Sequence, residues 1–300
     1  MSKAQQQQST LNALPAMTLI AGPCVIEDES LDQGLVFEVA TELKHQLGEL
    51  IQSQQIQLYF KASFDKANRT SIEGFRGPGL ARGLKIMDKV RERTGLPLCT
   101  DFHTPDQAGP VAEVIDYLQI PAFLCRQTDM IIAGCEASLK HDRRLNVKKG
   151  QFLAPWDAKN IVDKMREVEK RMGQQGKPDW FTLCERGVAF GYNSLVVDMT
   201  SFQMMKSFGV PTIFDATHSV QSPGAGTGGK STGGKRENIE VLSRAAMAAG
   251  ADGMFMECHP RPAQAKSDGP NAFYLEHVGT FVKQLLAIRS LVATQPKLIT

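Results

Sequence analysis

Three residues, Cys24, His218 and Glu257, offer the sulfur, nitrogen and oxygen donors that bind first-row transition metals. Each lies near the end of a short apolar run, and Asp268, eleven residues after Glu257, lies in a segment able to return as a fourth ligand. This mixed set suits Zn(II), Fe(II) or a similar ion better than Mg(II), which prefers oxygen ligands. Alternatively, Cys24 is a small buried hydrophobe and His218 a hydrogen-bonded loop residue, because no short ligand motif is present.

A second group of residues offers positive charge and hydroxyls. The segment KASFDKANRTS (61–71) has two lysines, an arginine and the adjacent hydroxyls of a Thr-Ser pair, and three further cations follow later in the chain: Lys61, Lys66, Arg69, Thr70, Ser71, Arg126, Lys148 and Arg186. Arginine forks and lysine ammonium groups bind phosphate and carboxylate oxygens. Asp101 and Glu257 cannot neutralise so many cations, so we expect small anionic substrates with two phosphates and a carboxylate. The alternative is a structural ion-pair network with Asp65 and Asp129.

The stretch GAGTGGKS (224–231) fits the phosphate-binding loop pattern G-x-x-x-x-G-K-[ST]. A true phosphate loop begins a helix at its Lys-Ser pair. Here Gly233 and Gly234 follow almost at once, and two glycines in a first helical turn cost roughly 2 kcal/mol relative to alanine. We therefore interpret residues 219–236 as a flexible, glycine-rich lid and not as a nucleotide site.

These groups can act together only if the fold brings distant segments to one place. Short apolar runs alternate with longer segments in which apolar residues recur every three or four positions, as at Ile239, Leu242, Ala246 and Ala249. The predicted strands are 18–24, 58–64, 97–102, 120–127, 144–150, 181–187, 211–218 and 253–260. The predicted helices are 31–53, 79–94, 105–117, 129–138, 157–173, 194–208, 237–250 and 271–293.

Strands that alternate with helices form parallel sheets, and eight repeats without a linker predict a single-domain (β/α)8 TIM barrel of the α/β class. We place the barrel at residues 17–300 and a flexible N-terminal tail at 1–16; an open doubly wound sheet is the alternative. Each predicted strand carries a reactive or charged residue near its end, in the order Cys24, Lys61, Asp101, Arg126, Lys148, Arg186, His218 and Glu257. Because barrel active sites lie at the carboxyl ends of the strands, these residues are expected around one cavity.

Bulk composition narrows the class of partner. The 300 residues carry a formal net charge of +2, which argues against broad binding to nucleic acid or to an anionic membrane. No apolar run approaches the roughly 20 residues that span a bilayer. The six cysteines are scattered without a C-x-x-C pair, which predicts a reduced, cytoplasmic protein.

From about residue 17 to 293 the sequence resembles the 3-deoxy-D-manno-octulosonate 8-phosphate synthase family. The matching stretches are AGPCVIE (21–27), KASFDKANRTS (61–71), FRGPGL (75–80), TDFHTP (100–105), QIPAFLCRQTD (119–129), NVKKGQF (146–152), CERGVAFGYNSLVVDM (184–199), FDATHSVQ (214–221) and ECHPRPAQAKSDGP (257–270). The resemblance implies condensation of phosphoenolpyruvate with D-arabinose 5-phosphate and water, for lipopolysaccharide biosynthesis. A related synthase that uses erythrose 4-phosphate is the alternative, but it tends to carry a shorter K-P-R-T-S motif where this chain has Asn68.

The resemblance also implies roles for individual residues. The catalytic set would be Lys61, Lys66, Asp101 and His218, and the substrate-binding set Asn68, Arg69, Thr70, Gln119, Arg126, Lys148 and Arg186. The metal-independent branch of the family has Asn where this chain has Cys24, so a divalent transition metal (Fe, Zn or Mn) is expected on Cys24, His218, Glu257 and Asp268. A homotetramer is also implied, with Arg126 reaching a neighbouring subunit's site. A binding protein with a degenerate site and a Schiff-base aldolase using Lys61 or Lys148 remain rival functions.

Overall fold

Eight parallel strands close into a barrel in the computed structural model, which describes residues 14–225, 232–296 and 298. The strands are β1 Met17–Gly22, β2 Ile56–Lys61, β3 Leu98–Asp101, β4 Tyr117–Ile120, β5 Arg144–Lys148, β6 Phe181–Glu185, β7 Thr212–Asp215 and β8 Gly253–His259. Each strand pairs with its neighbours in chain order, and β8 closes the barrel on β1 with Thr18 opposite Gly253 and Gly22 opposite Glu257. The (β/α)8 prediction is confirmed.

Within the described residues, a helix follows each barrel strand and packs on the outside. The helices are α1 Leu35–Gln52, α2 Leu80–Thr94, α3 Ala108–Val114, α4 Thr128–His141, α5 Lys159–Met172, α6 Ser201–Lys206, α7 Ile239–Ala248 and α8 Val278–Ala293. Their apolar stripes bury the outer face of the sheet. Strands buried on both faces read as continuous apolar runs, which explains why the sequence pattern located most of them.

The predicted fourth strand, 120–127, is wrong. The strand is Tyr117–Ile120, of which Tyr117 falls at the end of the predicted helix 105–117 and only Ile120 within the predicted strand, and residues 122–124 form a short 3-10 helix. Pro121 ends the strand because proline lacks the N–H that a central strand donates. Arg126 therefore lies in a loop six residues beyond β4 and not at a strand end.

The predicted helix 194–208 is also wrong over its first half. Residues 195–196 pair with 188–189 as a short antiparallel hairpin, and the helix begins only at Ser201. Several strands end one to three residues earlier than predicted. Cys24 and His218 therefore lie in the loops that follow β1 and β7.

The lower part of the barrel interior is apolar. Ile20, Tyr59, Cys99, Tyr117, Cys184, Ile213 and Phe255 form one buried cluster. The Tyr117 hydroxyl lies 2.6 Å from Thr182 Oγ1, so its polar end is satisfied. This cluster fills the interior beneath the charged strand ends, and the chemistry is confined to the carboxyl-end face.

Two sequence predictions include residues outside the described part. Of the predicted tail 1–16, only residues 14–16 are described, and Arg289 Nη1 donates to the Pro15 carbonyl at 2.7 Å. Of the predicted lid 219–236, residues 226–231 lie outside it, and the flanking pairs 221–222 and 233–234 form a two-stranded antiparallel ladder. Among the described residues, no helix is long and apolar enough to cross a membrane.

The packing of α2 on the base of the 61–71 segment gives a test of the fold. A Cβ at Gly83, in α2, would lie 2.4 Å from Phe64 Cβ, whereas a Cβ at Gly48, in α1, meets nothing within 4 Å. We expect Gly83→Ala to destabilise the protein by about 1–3 kcal/mol through overpacking. Gly48→Ala should stabilise it by up to about 1 kcal/mol, because alanine is the better helix former. Urea unfolding of the two variants checks this, and similar effects of both substitutions would contradict it.

Candidate active site

A cavity of about 850 Å³ opens at the carboxyl ends of the strands. Seven lysine and arginine side chains line it, against three aspartate and glutamate side chains: Lys61, Lys66, Arg69, Lys148, Arg186, Arg236, Lys266, Asp101, Glu257 and Asp268. Low-dielectric walls strengthen the attraction of such an excess of positive charge for small anions. The cavity therefore suits a strongly anionic ligand or a pair of them.

One corner of the cavity gathers the predicted metal ligands. Donor atoms of Cys24, Glu257 and Asp268 lie within 4.8 Å of one another, and His218 Nε2 lies 3.7 Å from a carboxylate oxygen of both Glu257 and Asp268. These four residues come from the loop after β1, the loop after β7, β8 itself and the loop after β8. The structure therefore brings the predicted set together across the closure of the barrel.

The electrostatics of this corner fit a cation. Burial and the nearby Glu257 carboxylate raise the pKa of the Cys24 thiol well above its usual value. A thiolate beside two carboxylates thus needs a compensating positive charge, which a divalent ion would supply. The donor set of sulfur, imidazole and carboxylate is the kind that Zn(II) and Fe(II) accept.

Lys61 and Lys66 project from the β2 edge toward Glu257. Lys61 Nζ donates to Glu257 Oε1 at 2.6 Å and to the Cys24 carbonyl at 2.9 Å, and Lys66 Nζ lies 4.0 Å from the same carboxylate oxygen. Burial alone would raise the pKa of Glu257, but Lys61 and His218 hold it far below its usual range. Glu257 is therefore ionised, and it contacts both the predicted metal ligands and the lysines Lys61 and Lys66.

Asp215, the last residue of β7, is a central member of the site that the sequence analysis missed. Its carboxylate is fully buried, accepts from Lys148 Nζ at 2.6 Å and lies 3.0 Å from His218 Nδ1. Burial opposes its ionisation, but His218 and Lys148 hold the pKa of Asp215 well below its usual value. The contact orients the His218 ring so that Nε2 faces the metal corner. The available sequence signal was an acidic residue at the end of a buried strand. His218, three residues later, was instead assigned from the sequence as the functional residue of this strand.

Arg186 and Gln119 also line the cavity. Arg186 Nη2 donates to the His218 carbonyl at 2.8 Å and to Gln221 Oε1 at 2.7 Å. Its Nε is buried without a hydrogen-bond partner among the described residues, and burial lowers the pKa of this guanidinium. Gln119 accepts from Asn146 and lines the cavity beside it. An anion bound here would satisfy a donor that the protein leaves unpaired.

Asp101 lies between two residues that the sequence analysis did not select. Ser63 Oγ donates to Asp101 Oδ1 at 2.5 Å, and His103 Nε2 lies 3.1 Å from Oδ2. Against the effect of burial, His103 and Lys66 hold the pKa of Asp101 well below its usual value. Ser63 is two residues after Lys61, and His103 is two residues after Asp101. Because alternate residues of an extended chain point to the same side, this spacing was the available sequence signal for both.

The loop after β2 carries the remaining predicted residues. Asn68 and Thr70 are exposed at the rim, and both line the cavity. Arg69 Nε donates to the Phe75 carbonyl at 2.7 Å and Nη1 to Ser267 Oγ at 2.8 Å, while Nη2 is buried without a hydrogen-bond partner in the described part of the chain. Arg69 and Arg186 thus each have one buried nitrogen without a hydrogen-bond partner among the described residues.

Arg126 is not brought to this cavity. It is exposed, and the loop after β4 contributes Pro121, Ala122, Phe123 and Leu124 to the wall instead.

The alternative, in which local acids neutralise the cavity cations, is not supported at Asp65, because Asp65 pairs with Arg76 at 2.5 Å. The cavity lysines are partly neutralised, but by Glu257 and Asp215.

Comparison with known proteins extends over nearly the whole chain. The sequence profile of the DAHP synthetase I family matches residues 7–294. The chain is 50% identical to the 2-dehydro-3-deoxyphosphooctonate aldolase of Nitratidesulfovibrio vulgaris strain DP4 over 273 residues, which are 91% of this chain and 92% of that protein. It is 52% identical to the protein of the same name from Albidiferax ferrireducens over 270 residues (90% and 89%). It is 51% identical to that from Leptothrix cholodnii over 280 residues (93% of each).

Replacement of Asp215 tests the buried ion pair. Asp215→Asn would leave Lys148 buried without an anionic partner, and we expect a loss of about 3–5 kcal/mol in the free energy of unfolding. The matched control is Asp65→Asn, which breaks a partly exposed pair with Arg76 and should cost less than about 1 kcal/mol. Denaturant unfolding gives both values. Equal losses in the two variants would show that the Asp215 pair has no special energetic weight.

Proposed function

The chain belongs to the DAHP synthetase I family, and on that premise we propose that it condenses phosphoenolpyruvate with D-arabinose 5-phosphate and water. The products are 3-deoxy-D-manno-octulosonate 8-phosphate and inorganic phosphate, and the reaction serves lipopolysaccharide biosynthesis. The three relatives are named 2-dehydro-3-deoxyphosphooctonate aldolase. Each is about 50% identical to this chain over about nine-tenths of both proteins. The observation that carries the proposal is the cavity itself, whose excess of positive charge matches two phosphates and a carboxylate.

The two substrates are assigned to different depths of the cavity. Phosphoenolpyruvate would lie deep, where Lys61, Lys66, Lys148 and Arg186 hold its phosphate and carboxylate beside Gln119 and His218. Arabinose 5-phosphate would lie above it, with Asn68, Arg69 and Thr70 on its chain and phosphate and Asp101 on its hydroxyls. The unpaired buried N–H groups of Arg186 and Arg69 support one anion at each level.

In the reaction, C3 of phosphoenolpyruvate forms a bond to the aldehyde carbon of the sugar, and the aldehyde oxygen takes a proton. Water adds to C2 and gives up a proton, and the resulting hemiketal phosphate loses inorganic phosphate by cleavage of its C–O bond. The Asp101–His103 pair, with 3.1 Å between Oδ2 and Nε2, is placed to hold or move a proton beside the sugar. The cations hold two mutually repelling anions in contact, and such positioning supplies up to about 7–11 kcal/mol of the barrier.

We also propose that Cys24, His218, Glu257 and Asp268 hold a divalent transition metal, namely Fe, Zn or Mn. The support is the cluster of sulfur, nitrogen and oxygen donors of these four residues within a few ångströms of one another. When bound, such an ion polarises a carbonyl or orients and acidifies water. Asp215 would orient His218 toward it from behind.

The rival Schiff-base mechanism is not favoured by the lysine environments. Lys61 and Lys148 each lie 2.6 Å from a carboxylate oxygen, so both amines are engaged in ion pairs and are not presented to a substrate carbonyl as a Schiff base requires. Both lysines are better suited to hold anions.

The proposal extends to assembly and location. Large aromatic side chains are exposed in the loops after β4, β5 and β6: Phe123, Phe152, Trp156, Phe190 and Tyr192. An apolar surface of this kind supports association of copies, and we propose a homotetramer in which Arg126 reaches a neighbouring copy's cavity. All six cysteines are free and buried, which supports a reducing cytoplasm.

The choice of sugar tests the function. Because Asn68 extends the sugar-binding loop, kcat/KM for phosphate release should be higher with arabinose 5-phosphate than with erythrose 4-phosphate by at least about 10-fold, the discrimination typical of a misfitted substrate group. Parallel assays with phosphoenolpyruvate and each sugar phosphate measure this. A preference for the four-carbon sugar would reverse the assignment.

Metal removal tests the cation site. A strong chelator should abolish phosphate release, and added Fe(II), Mn(II) or Zn(II) should restore it, whereas Mg(II) should restore much less because the site offers sulfur and nitrogen. Metal content is determined by elemental analysis alongside the rates. Full turnover by protein verified as metal-free would rule the metal out.

A further inference from the structure

The hydroxyl of Ser267 lies between the two ends of the proposed site. Ser267 Oγ is 3.0 Å from Cys24 Sγ and 2.8 Å from Arg69 Nη1. The three residues lie in the loops after β8, β1 and β2, separated by 243 and 198 positions in the chain. Ser267 is 4% exposed, so water does not compete freely for these contacts. One buried hydroxyl thus joins Cys24, a proposed metal ligand, to Arg69, which is proposed to bind the sugar phosphate.

A serine hydroxyl can keep both partners at once. It has one O–H to donate and two lone pairs to accept. Arg69 can only donate, so it occupies one lone pair, which leaves the O–H and the second lone pair for the sulfur. The bridge is therefore compatible with a metal on the sulfur.

The bridge determines which nitrogen of Arg69 is left without a protein partner. The Phe75 carbonyl holds Nε and Ser267 holds Nη1, so the guanidinium is fixed at two points. The remaining Nη2 is buried and has no hydrogen-bond partner among residues 14–225, 232–296 and 298. An arginine side chain carries up to about 2 kcal/mol of rotamer entropy, and fixing it before the ligand arrives removes that cost from binding.

The loop that carries Ser267 is tied to the metal corner on the other side as well. Asp268 is the next residue, and its Oδ2 lies 3.4 Å from Cys24 Sγ and 3.7 Å from His218 Nε2. Lys266, on the preceding side, donates its backbone N–H to Glu27 Oε1 at 2.9 Å. A metal on Cys24 and Asp268 would hold this short loop, and with it Ser267, in the position that fixes Arg69.

We propose that Ser267 is a positioning residue that couples metal binding to sugar-phosphate binding. The inference rests on the proposed function, because it needs a metal at Cys24 and a sugar phosphate at Arg69. A metal at the Cys24–Asp268 end orders Ser267 and Arg69, which raises the affinity for arabinose 5-phosphate. Since coupling free energies are reciprocal, arabinose 5-phosphate raises the affinity for the metal by the same factor.

The test is a pair of affinity measurements in the full-length protein. Calorimetry gives the Kd of arabinose 5-phosphate with and without Zn(II), and competition with a chromophoric chelator gives the Kd of Zn(II) with and without arabinose 5-phosphate. In the unmodified protein each ligand should improve the other's Kd by about 5-fold or more. In Ser267→Ala the coupling should fall below about 2-fold, and the sugar phosphate should bind about 10-fold more weakly because Arg69 loses a hydrogen bond to a charged group.

The controls separate coupling from a general loss of structure. Ser243→Ala removes another fully buried serine, in α7 and away from the cavity, and should keep the unmodified coupling. The affinity for phosphoenolpyruvate should be unchanged in Ser267→Ala. In cobalt-loaded protein, the sulfur-to-cobalt absorption band should shift on addition of arabinose 5-phosphate in the unmodified chain but not in Ser267→Ala.

Two results would overturn the inference. One is independent binding of metal and sugar phosphate in the unmodified protein, which decides the matter even if Ser267→Ala fails to fold. The other is full coupling in a folded Ser267→Ala variant. Either result, in protein that releases phosphate from both substrates, removes the bridge but leaves the function intact. If the unmodified protein releases no phosphate, the function itself fails.

Discussion

The site depends on the requirement that a charge removed from water must find a counter-charge. Lys61 with Glu257 and Lys148 with Asp215 are ion pairs in which all four side chains are almost fully buried. Breaking either pair would leave a buried charge unpaired, so each carboxylate fixes one lysine in place and each lysine keeps its carboxylate ionised. Among the described residues Arg69 and Arg186 form no ion pair, and Lys66 reaches only Glu257, 4.0 Å away, which Lys61 already contacts; the positive charge of these three residues is available to substrates.

This network is possible because a closed parallel barrel separates chemistry from packing. The apolar cluster around Tyr117 and Phe255 fills the interior below, while the strand ends and their loops supply the charged groups above. Closure of β8 on β1 places Gly22 opposite Glu257, and a Cβ at Gly22 would lie 2.0 Å from the Lys61 carbonyl. The close approach that glycine allows there lets the chain turn toward Cys24, so the thiol reaches the carboxylates of the last strand and its loop.

The proposed metal ligands and the proposed sugar-phosphate residues form one connected arrangement. Asp215 holds Lys148 and His218, His218 approaches Glu257 and Asp268, and Ser267 joins Cys24 to Arg69. Contacts with two partners each restrict the motion of these side chains. Such restriction favours a reaction between two anions, because their mutual repulsion opposes their alignment for bond formation. Binding of a ligand at one of these groups is therefore expected to change the affinity of the other group for its ligand.

The sequence by itself determined the architecture and most of the charged wall. The alternation of apolar runs and amphipathic segments is local, and so is a charge at the end of an apolar run; both led to the barrel and to Cys24, Lys61, Lys148 and Glu257. The sequence pattern failed where the local signal was ambiguous: the fourth strand was predicted at 120–127 instead of Tyr117–Ile120, and Arg126 was therefore placed at a strand end. Only the tertiary structure revealed Asp215 as the partner of Lys148, and Ser267 as the link between Cys24 and Arg69. Those contacts join residues from 67 to 243 positions apart, and their geometry is set by barrel closure and loop paths that no local pattern encodes.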